Sequence, residues 1–274
     1  MAPPHHHVLL IGGSGKIAKL LTPLLLQRSW TVTSMIRNPD QVGDLQRLGS
    51  GGAGGGNGKL NVLVRSVEDV KSVGDARSIL DEVGADYVVW SAGAGGKGPP
   101  ERTFTVDRDA ASHFIRAAAA SPAVTRFLMV SFITSRLAKP AWWSAETFDR
   151  AMADVKKALP RYYEAKVAAD EVLYRESAAS RGDGFAGICL RPGTLTDEPA
   201  GEVRLGKLPV ASGNVSRESV ARVAAELLAK DGVKSCWLDL LDGEDGAGED
   251  ISAAVDRCVR DGVDCAEGEP FAEV

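Results

Sequence analysis

The chain has 274 residues, 44% of them hydrophobic and 25% charged, and 32 basic against 37 acidic side chains leave a formal charge of -5. A chain of this size can bury a full core without disulfide or metal staples. No basic excess points to nucleic acid or an anionic membrane as partner, and no stretch approaches the ~18 apolar residues of a membrane span.

The chain opens with His5-His6-His7, read as a solvated stub rather than a metal site, since no Cys or second His cluster accompanies it. Val8–Ile11 is a short apolar run ending in glycines, which predicts a buried strand and is too short for a secretory h-region. Lys16–Gln27 predicts a helix with one apolar face, interrupted by Pro23, which removes a backbone donor and invites a kink. β-Branched Thr31–Ile36 predicts a second strand. Gly49–Gly58 is nearly all glycine and reads as a flexible surface loop.

Leu60–Val64, Tyr87–Trp90 and Phe127–Val130 follow as third, fourth and fifth strands, with a helical pattern over Asp107–Ala120. Asp107 is read as the cap of that helix and His113 as a partly buried structural residue. Phe185–Leu190 and Trp237–Leu241 are later strands. Strand–helix alternation at this spacing predicts a parallel, doubly wound α/β sheet. With no repeat or linker, the expectation is one domain over 1–274, its core at about 8–240. The last 30 or so residues read as an acidic extension ending in a peripheral helix and tail. Four cysteines without a C-x-x-C suggest reduced thiols and a cytoplasmic protein.

The first strand runs into Gly12-Gly13-Ser14-Gly15-Lys16-Ile17-Ala18, a G-x-x-G-x-x-A turn between strand and helix. Gly12 allows the tight turn, Gly15 lets the backbone approach a pyrophosphate, and small Ala18 lets helix pack on strand. The helix N-terminus then offers free N–H groups to the phosphates. A P-loop would need Gly at position 10 and Ser or Thr at 17, where Leu10 and Ile17 stand. At the end of the second strand, Met35-Ile36-Arg37-Asn38-Pro39 lacks the carboxylate that binds the ribose of NAD. Arg37 is placed to meet a 2′-phosphate, which favours NADP(H) over NAD(H).

Tyr162 and Lys166 are four residues apart, so a helix puts both on one face. A Lys ammonium lowers the pKa of a neighbouring phenol, which can then exchange a proton as a hydride reaches or leaves a carbonyl carbon. Tyr163, three residues from Lys166, is the alternative.

With these pieces the chain resembles the short-chain dehydrogenase/reductases, in their atypical NmrA-like and flavin-reductase-like branch. It is most like uncharacterised fungal members. The matching segments are GGSGKIAKLL, MIRNPDQ, VVWSAGAGGKG with FTVDRDA, FLMVS, RYYEAKVAAD and LRPGTL. The resemblance implies a Rossmann-type sheet. It implies that Gly12, Ser14, Gly15, Lys16 and Ile17 hold the pyrophosphate and its ribose, and that Arg37 meets the adenosine phosphate. Ser66 and Val67 would flank the adenine, Ala92 and Gly93 would lie along the cofactor, and Pro192, Gly193 and Thr194 would border the nicotinamide. Tyr162 would be the acid/base, Lys166 its ribose-binding partner, and Ser131 the hydroxyl that meets the substrate oxygen. The family often has two serines after strand five. Here Ser131-Phe132-Ile133-Thr134-Ser135 stands there, so Thr134 and Ser135 are alternatives to Ser131.

Two segments, about 140–160 and 192–215, fall on the substrate side, and Trp142 and Trp143 either wall a pocket for an apolar or aromatic ligand or simply cover the core. The expected function is an NADPH-dependent oxidoreductase acting on a small carbonyl, quinone-like or flavin-like substrate. The alternatives are a non-catalytic NADP(H) sensor and a cofactor-retaining epimerase or isomerase. A monomer is expected, with a small molecule as partner.

Overall fold

The computed structural model describes residues 5–50, 58–95, 99–180, 184–244, 246–266 and 268–271. Most of the glycine run expected to form a loop lies outside the described residues. In chain order the elements are β1 (His7–Ile11), α1 (Lys16–Gln27), β2 (Thr31–Ile36), α2 (Val42–Ser50), β3 (Lys59–Val64), α3 (Val73–Val83) and β4 (Tyr87–Trp90). Next come α4 (Glu101–Thr103), a π-wound stretch Phe104–Ala110 and α5 (Ala111–Ala119), then β5 (Arg126–Val130), α6 (Ala145–Ala158) and α7 (Pro160–Ala179). The last are β6 (Ala186–Pro192), β7 (Thr194–Thr196), β8 (Val203–Gly206), β9 (Asn214–Ser216), α8 (Arg217–Ala229), β10 (Cys236–Asp242) and α9 (Ile251–Arg260).

Eight strands form one sheet in the order β3-β2-β1-β4-β5-β6-β10-β8. All neighbours are parallel except β8, which runs antiparallel to β10. This is the predicted doubly wound α/β sheet of Rossmann type. Alternation along β1 shows why it is buried on both faces. Val8 and Leu10 pack towards α1 and α8 with Leu21, Leu25, Val220 and Leu228. Leu9 and Ile11 pack towards α3 and α5 with Ile79, Leu80, Phe114 and Ile115. The sheet reverses its winding between β1 and β4, and a crevice opens beyond their carboxyl ends.

Several expectations are corrected. The helix α1 continues through Pro23. The histidines are not a solvated stub. His7 starts β1, and His6 stacks on Tyr87, meets Trp30 edge-on and bonds through Nδ1 to Asp86 at 2.5 Å. Asp107 caps no helix. It is buried in the π-wound stretch, where Oδ2 accepts the Ala94 N–H at 2.9 Å and ties down the loop after β4. The C-terminal segment is not peripheral either. Cys265, Ala266 and Phe271 are buried, and Glu269 accepts the backbone N–H of Leu137 at 2.8 Å. Short β7, β8 and β9 carry too few residues to show a period, and they were not anticipated.

Candidate functional site

The crevice starts at the glycine turn. Gly12 has φ +82°, and a Cβ there would lie 2.7 Å from the Ala92 backbone. The turn is therefore open only to glycine, in conformation and in space. The N–H groups of Gly12 and Gly13 both donate to the Met35 carbonyl oxygen, at 3.2 and 3.0 Å, which sets the turn against the end of β2. No side chain caps the N-terminus of α1, so its first-turn amides face the crevice unclaimed by a side chain. A backbone cradle with a free helix N-terminus fits a dinucleotide pyrophosphate.

A groove of about 330 Å³ runs from this turn. Gly12, Ser14, Gly15, Arg37, Ser66, Val67, Ala92 and Gly93 all line it, so eight expected cofactor residues come together from four strand ends. Lys16 and Ile17 do not line it. The Lys16 ammonium reaches Asp197 at 2.5 Å, and the Ile17 side chain is buried in the core beneath α1. Their backbone amides are what they offer to the turn. At the far end Arg37 Nη1 donates to Glu68 Oε1 at 2.6 Å, and Arg102 Nε donates to the same oxygen at 2.9 Å. Arg102 first, and then Arg37, hold the Glu68 carboxyl below the usual carboxylate range. Arg65 also lines this end. Arg65 pairs with Glu82 at 2.9 Å, so three guanidiniums face two carboxylates and this end keeps one net positive charge. Sequence reasoning missed Arg65, Glu68 and Arg102, and only the position of Arg65 at the end of β3 offered a signal.

The second part of the site rests on α7. Proline at its first position suits a helix start, where no N–H is required. Tyr162 and Lys166 fall one turn apart, with the phenol half-buried and the ammonium buried. Lys166 Nζ donates to the Val130 carbonyl oxygen at 2.8 Å, which anchors the helix to the end of β5. Tyr163 turns elsewhere and donates its hydroxyl to the Arg136 carbonyl oxygen at 2.7 Å. The structure thus separates the two tyrosines.

Lys166 favours the phenolate of Tyr162, as the spacing predicts, but it does not prevail. Burial is the largest influence, and Asp107 and Asp170 add to it, so the phenol is raised above its ordinary value. The expected lowering is corrected in this respect. Burial also disfavours the Lys166 ammonium, yet Tyr162, Asp107, Asp170 and Cys189 outweigh it and hold its pKa up. Both groups are kept protonated.

Tyr162 stands in the wall of a cavity of about 740 Å³. Ser131, Thr134, Pro192, Gly193 and Thr194 line the same space. A Cβ on Gly193 would lie 2.4 Å from the Gly213 carbonyl oxygen, so glycine lets the end of β6 pass close to the segment before β9. The Ser131 hydroxyl is already engaged and donates to Asp170 Oδ2 at 2.8 Å. Ser135 is buried and absent from the cavity wall. The Phe132 ring lies beside Tyr162, with centroids 5.0 Å apart. A second cavity of about 560 Å³ shares Ala158, Leu159 and Tyr162 with the first.

The two tryptophans do not wall this space. Trp143 is buried and donates Nε1–H to the Leu208 carbonyl oxygen at 2.8 Å. The Arg136 guanidinium lies 4.9 Å from its ring and 5.5 Å from that of Trp142. They pack behind the cavity against a buried cation. Its wall comes from Phe132, Leu195, Val210 and the face of α6 that carries Thr147, Ala151 and Val155.

Known proteins share this architecture. The chain is 29% identical over 239 residues to a UPF0659 protein of Schizosaccharomyces pombe, covering 86% of this chain and 89% of the relative. It is 28% identical over 239 residues to the uncharacterized sugar epimerase YhfK of Bacillus subtilis, covering 86% and 94%. A solved structure, a putative NAD-dependent epimerase/dehydratase from Bacillus halodurans, superposes with a TM-score of 0.67 at 23% identity, covering 92% of this chain and 99% of that one. No described helix is long and apolar enough to cross a membrane. The sequence profile of the NAD(P)H-binding family matches residues 12–231, which span the glycine turn, the crevice and the Tyr162–Lys166 helix. The chain belongs to that family, as an atypical short-chain dehydrogenase/reductase with NAD(P)(H) as its cofactor.

Proposed function

We propose that this protein is an NADPH-dependent oxidoreductase that reduces a small carbonyl, quinone-like or flavin-like compound. The observation that carries the reading is the place of Tyr162. Its phenol stands in the cavity wall, one turn from a buried ammonium, with the Pro192–Thr194 segment on the same cavity. When bound along the groove, NADPH would supply the hydride. Tyr162 gives a proton to the substrate oxygen, and its raised pKa keeps that proton in place at neutral pH. Lys166 holds the positive charge that receives the developing phenolate. Ser131 and Thr134 both line the cavity. The Ser131 hydroxyl already donates its hydrogen bond to Asp170, so Thr134 is the hydroxyl that donates to the substrate oxygen. Phe132, Leu159 and Val210 favour an apolar or aromatic substrate face. Arg37, with Arg65 and Arg102 close by, meets the 2′-phosphate and selects NADPH.

The test has two stages. Fluorescence titration with NADPH and NADH, on the wild type and on Arg37→Ala, reads the cofactor preference. A roughly tenfold loss confined to NADPH supports it, and equal losses for both nucleotides overturn it. Turnover of phenanthrenequinone and small aldehydes with NADPH then compares the wild type with Tyr162→Phe. A loss of about a hundredfold or more, with NADPH affinity retained, supports the proton donor. The phenol is an acid in this direction, so activity persists below its raised pKa and falls only as pH rises through it.

A second reading is a cofactor-retaining epimerase, favoured by the name of the Bacillus subtilis relative. The same residues would serve it. Product formed with no net oxidation of NADPH would mark that reading.

A further inference from the structure

Tyr162, Lys166 and Asp170 succeed one another at four-residue intervals on α7, so they share one helix face. The reading above uses the first two. Asp170 is completely buried, and so are its partners. Ser131 Oγ on the strand side donates to Asp170 Oδ2 at 2.8 Å, and Arg191 Nε on β6 lies 3.6 Å from the same oxygen. One residue earlier, the Val130 carbonyl oxygen accepts from Lys166 Nζ at 2.8 Å. The helix therefore reaches to the strand at Val130, and the strand reaches back to the helix at Ser131. Core packing of Ala169 and Leu173 sets the roll of α7, and two bonds in opposite directions, one helical turn apart, pin its height along β5.

The surrounding charges have the same centre. A buried carboxylate without a counter-charge takes up a proton. Arg191 is the cation beside Asp170, and Glu269 from the C-terminal segment lies 3.9 Å from Arg191 and 3.5 Å from Arg136. Arg136 in turn pairs with Asp239 at 2.5 Å. The charged groups that bear on the phenol are Lys166 and Asp170 on α7 and Asp107 on the π-wound stretch. The titratable groups that bear on the ammonium are Tyr162, Asp107, Asp170 and the Cys189 thiol on β6.

We propose that Asp170 is a positioning residue of this site, which accepts the hydrogen bond of the Ser131 hydroxyl and with Lys166 locks α7 in the register that sets the Tyr162 phenol into the cavity. The inference rests on the reading of Tyr162 as proton donor. Its negative charge also favours the protonated forms of Tyr162 and Lys166. Removal of that charge then lets the phenol ionise at lower pH.

Asp170→Asn keeps the shape and removes the charge. The titration of Tyr162 is read as the difference in tyrosinate absorbance between each variant and the same variant carrying Tyr162→Phe, so no substrate is needed. The midpoint falls in Asp170→Asn. It stays in place in Asp239→Asn, which removes a buried carboxylate of the same network away from α7. With NADPH and phenanthrenequinone, Ser131→Ala leaves every charge in place but opens the strand-to-helix bond. It loses about tenfold to a hundredfold in kcat, with the Tyr162 midpoint unmoved and NADPH affinity retained. Should Asp170→Asn fail to fold, Asp170→Glu keeps the midpoint and loses kcat. The proposal is overturned if Asp170→Asn leaves the midpoint in place, if Asp239→Asn moves it equally, or if Ser131→Ala turns over like the wild type. Failure of the underlying reading looks different, because Tyr162→Phe then keeps full turnover.

Discussion

The groove beside the glycine turn and the cavity beside Tyr162 both open beyond the carboxyl ends of one sheet's strands, yet they are built from different materials. The groove uses backbone. Its turn depends on a glycine with φ +82°, on amides at a helix start, and on arginines whose side chains remain partly in water. The cavity instead leans on buried charge. Lys166, Asp170, Arg191, Arg136 and Asp239 are all essentially without solvent contact, and Glu269 joins Arg191 to Arg136 among them. A backbone device is local and tolerates change around it. A buried charge that loses its counter-charge is costly, so such a network is sensitive to the loss of one member.

Three substitutions break or sharpen that contrast. Gly12→Ala has the largest effect, because the new Cβ meets the Ala92 backbone at 2.7 Å in a conformation alanine avoids. NADPH affinity falls by about a hundredfold or more with little loss of stability elsewhere in the sheet, as titration beside thermal melting checks. Arg136→Met behaves in the opposite way. It leaves Asp239 buried without its partner and costs about 3–5 kcal/mol of stability, read by urea unfolding, while the folded fraction binds NADPH normally. The smallest effect belongs to Glu68→Gln. Glu68 neutralises part of the charge of Arg37 and Arg102. Without it, NADPH binds a few-fold more tightly relative to NADH, and the preference falls with salt. A drop in that ratio means that Arg37 needs Glu68 to be held in place.

How much was legible follows the same division. The glycine turn and the β1–α1 unit read directly, since their residues are contiguous and their geometry is a matter of backbone sterics. The face shared by Tyr162 and Lys166 read from helix periodicity. Asp170 stands on the same face by the same count, but its importance rests on Ser131 and Arg191, which come from two other strands. Trp142 and Trp143 looked like a pocket wall because they follow β5, whereas Arg136 draws them behind it. Asp107 looked like a cap because it opens an apolar helical pattern, yet α4 begins earlier and carries it inward. Short β8 gave no alternation to read, and its antiparallel pairing depends on β10 lying beside it.

The sequence by itself determined the alternating α/β class, the places along the chain of the seven parallel strands β1 to β6 and β10, and the glycine turn. Each depends on neighbours along the chain, through strand runs, helix period and the freedom of Gly12. Tertiary structure decided the rest. It put Tyr162 in the cavity wall and turned Tyr163 to the Arg136 carbonyl oxygen, directed the Ser131 hydrogen bond to Asp170, raised the phenol against the pull of Lys166, and folded Glu269 into the charge network. These outcomes depend on burial and on charges brought together from distant positions. Burial strengthens each charge interaction, so the electrostatics of the site are set only when the strands have been placed side by side.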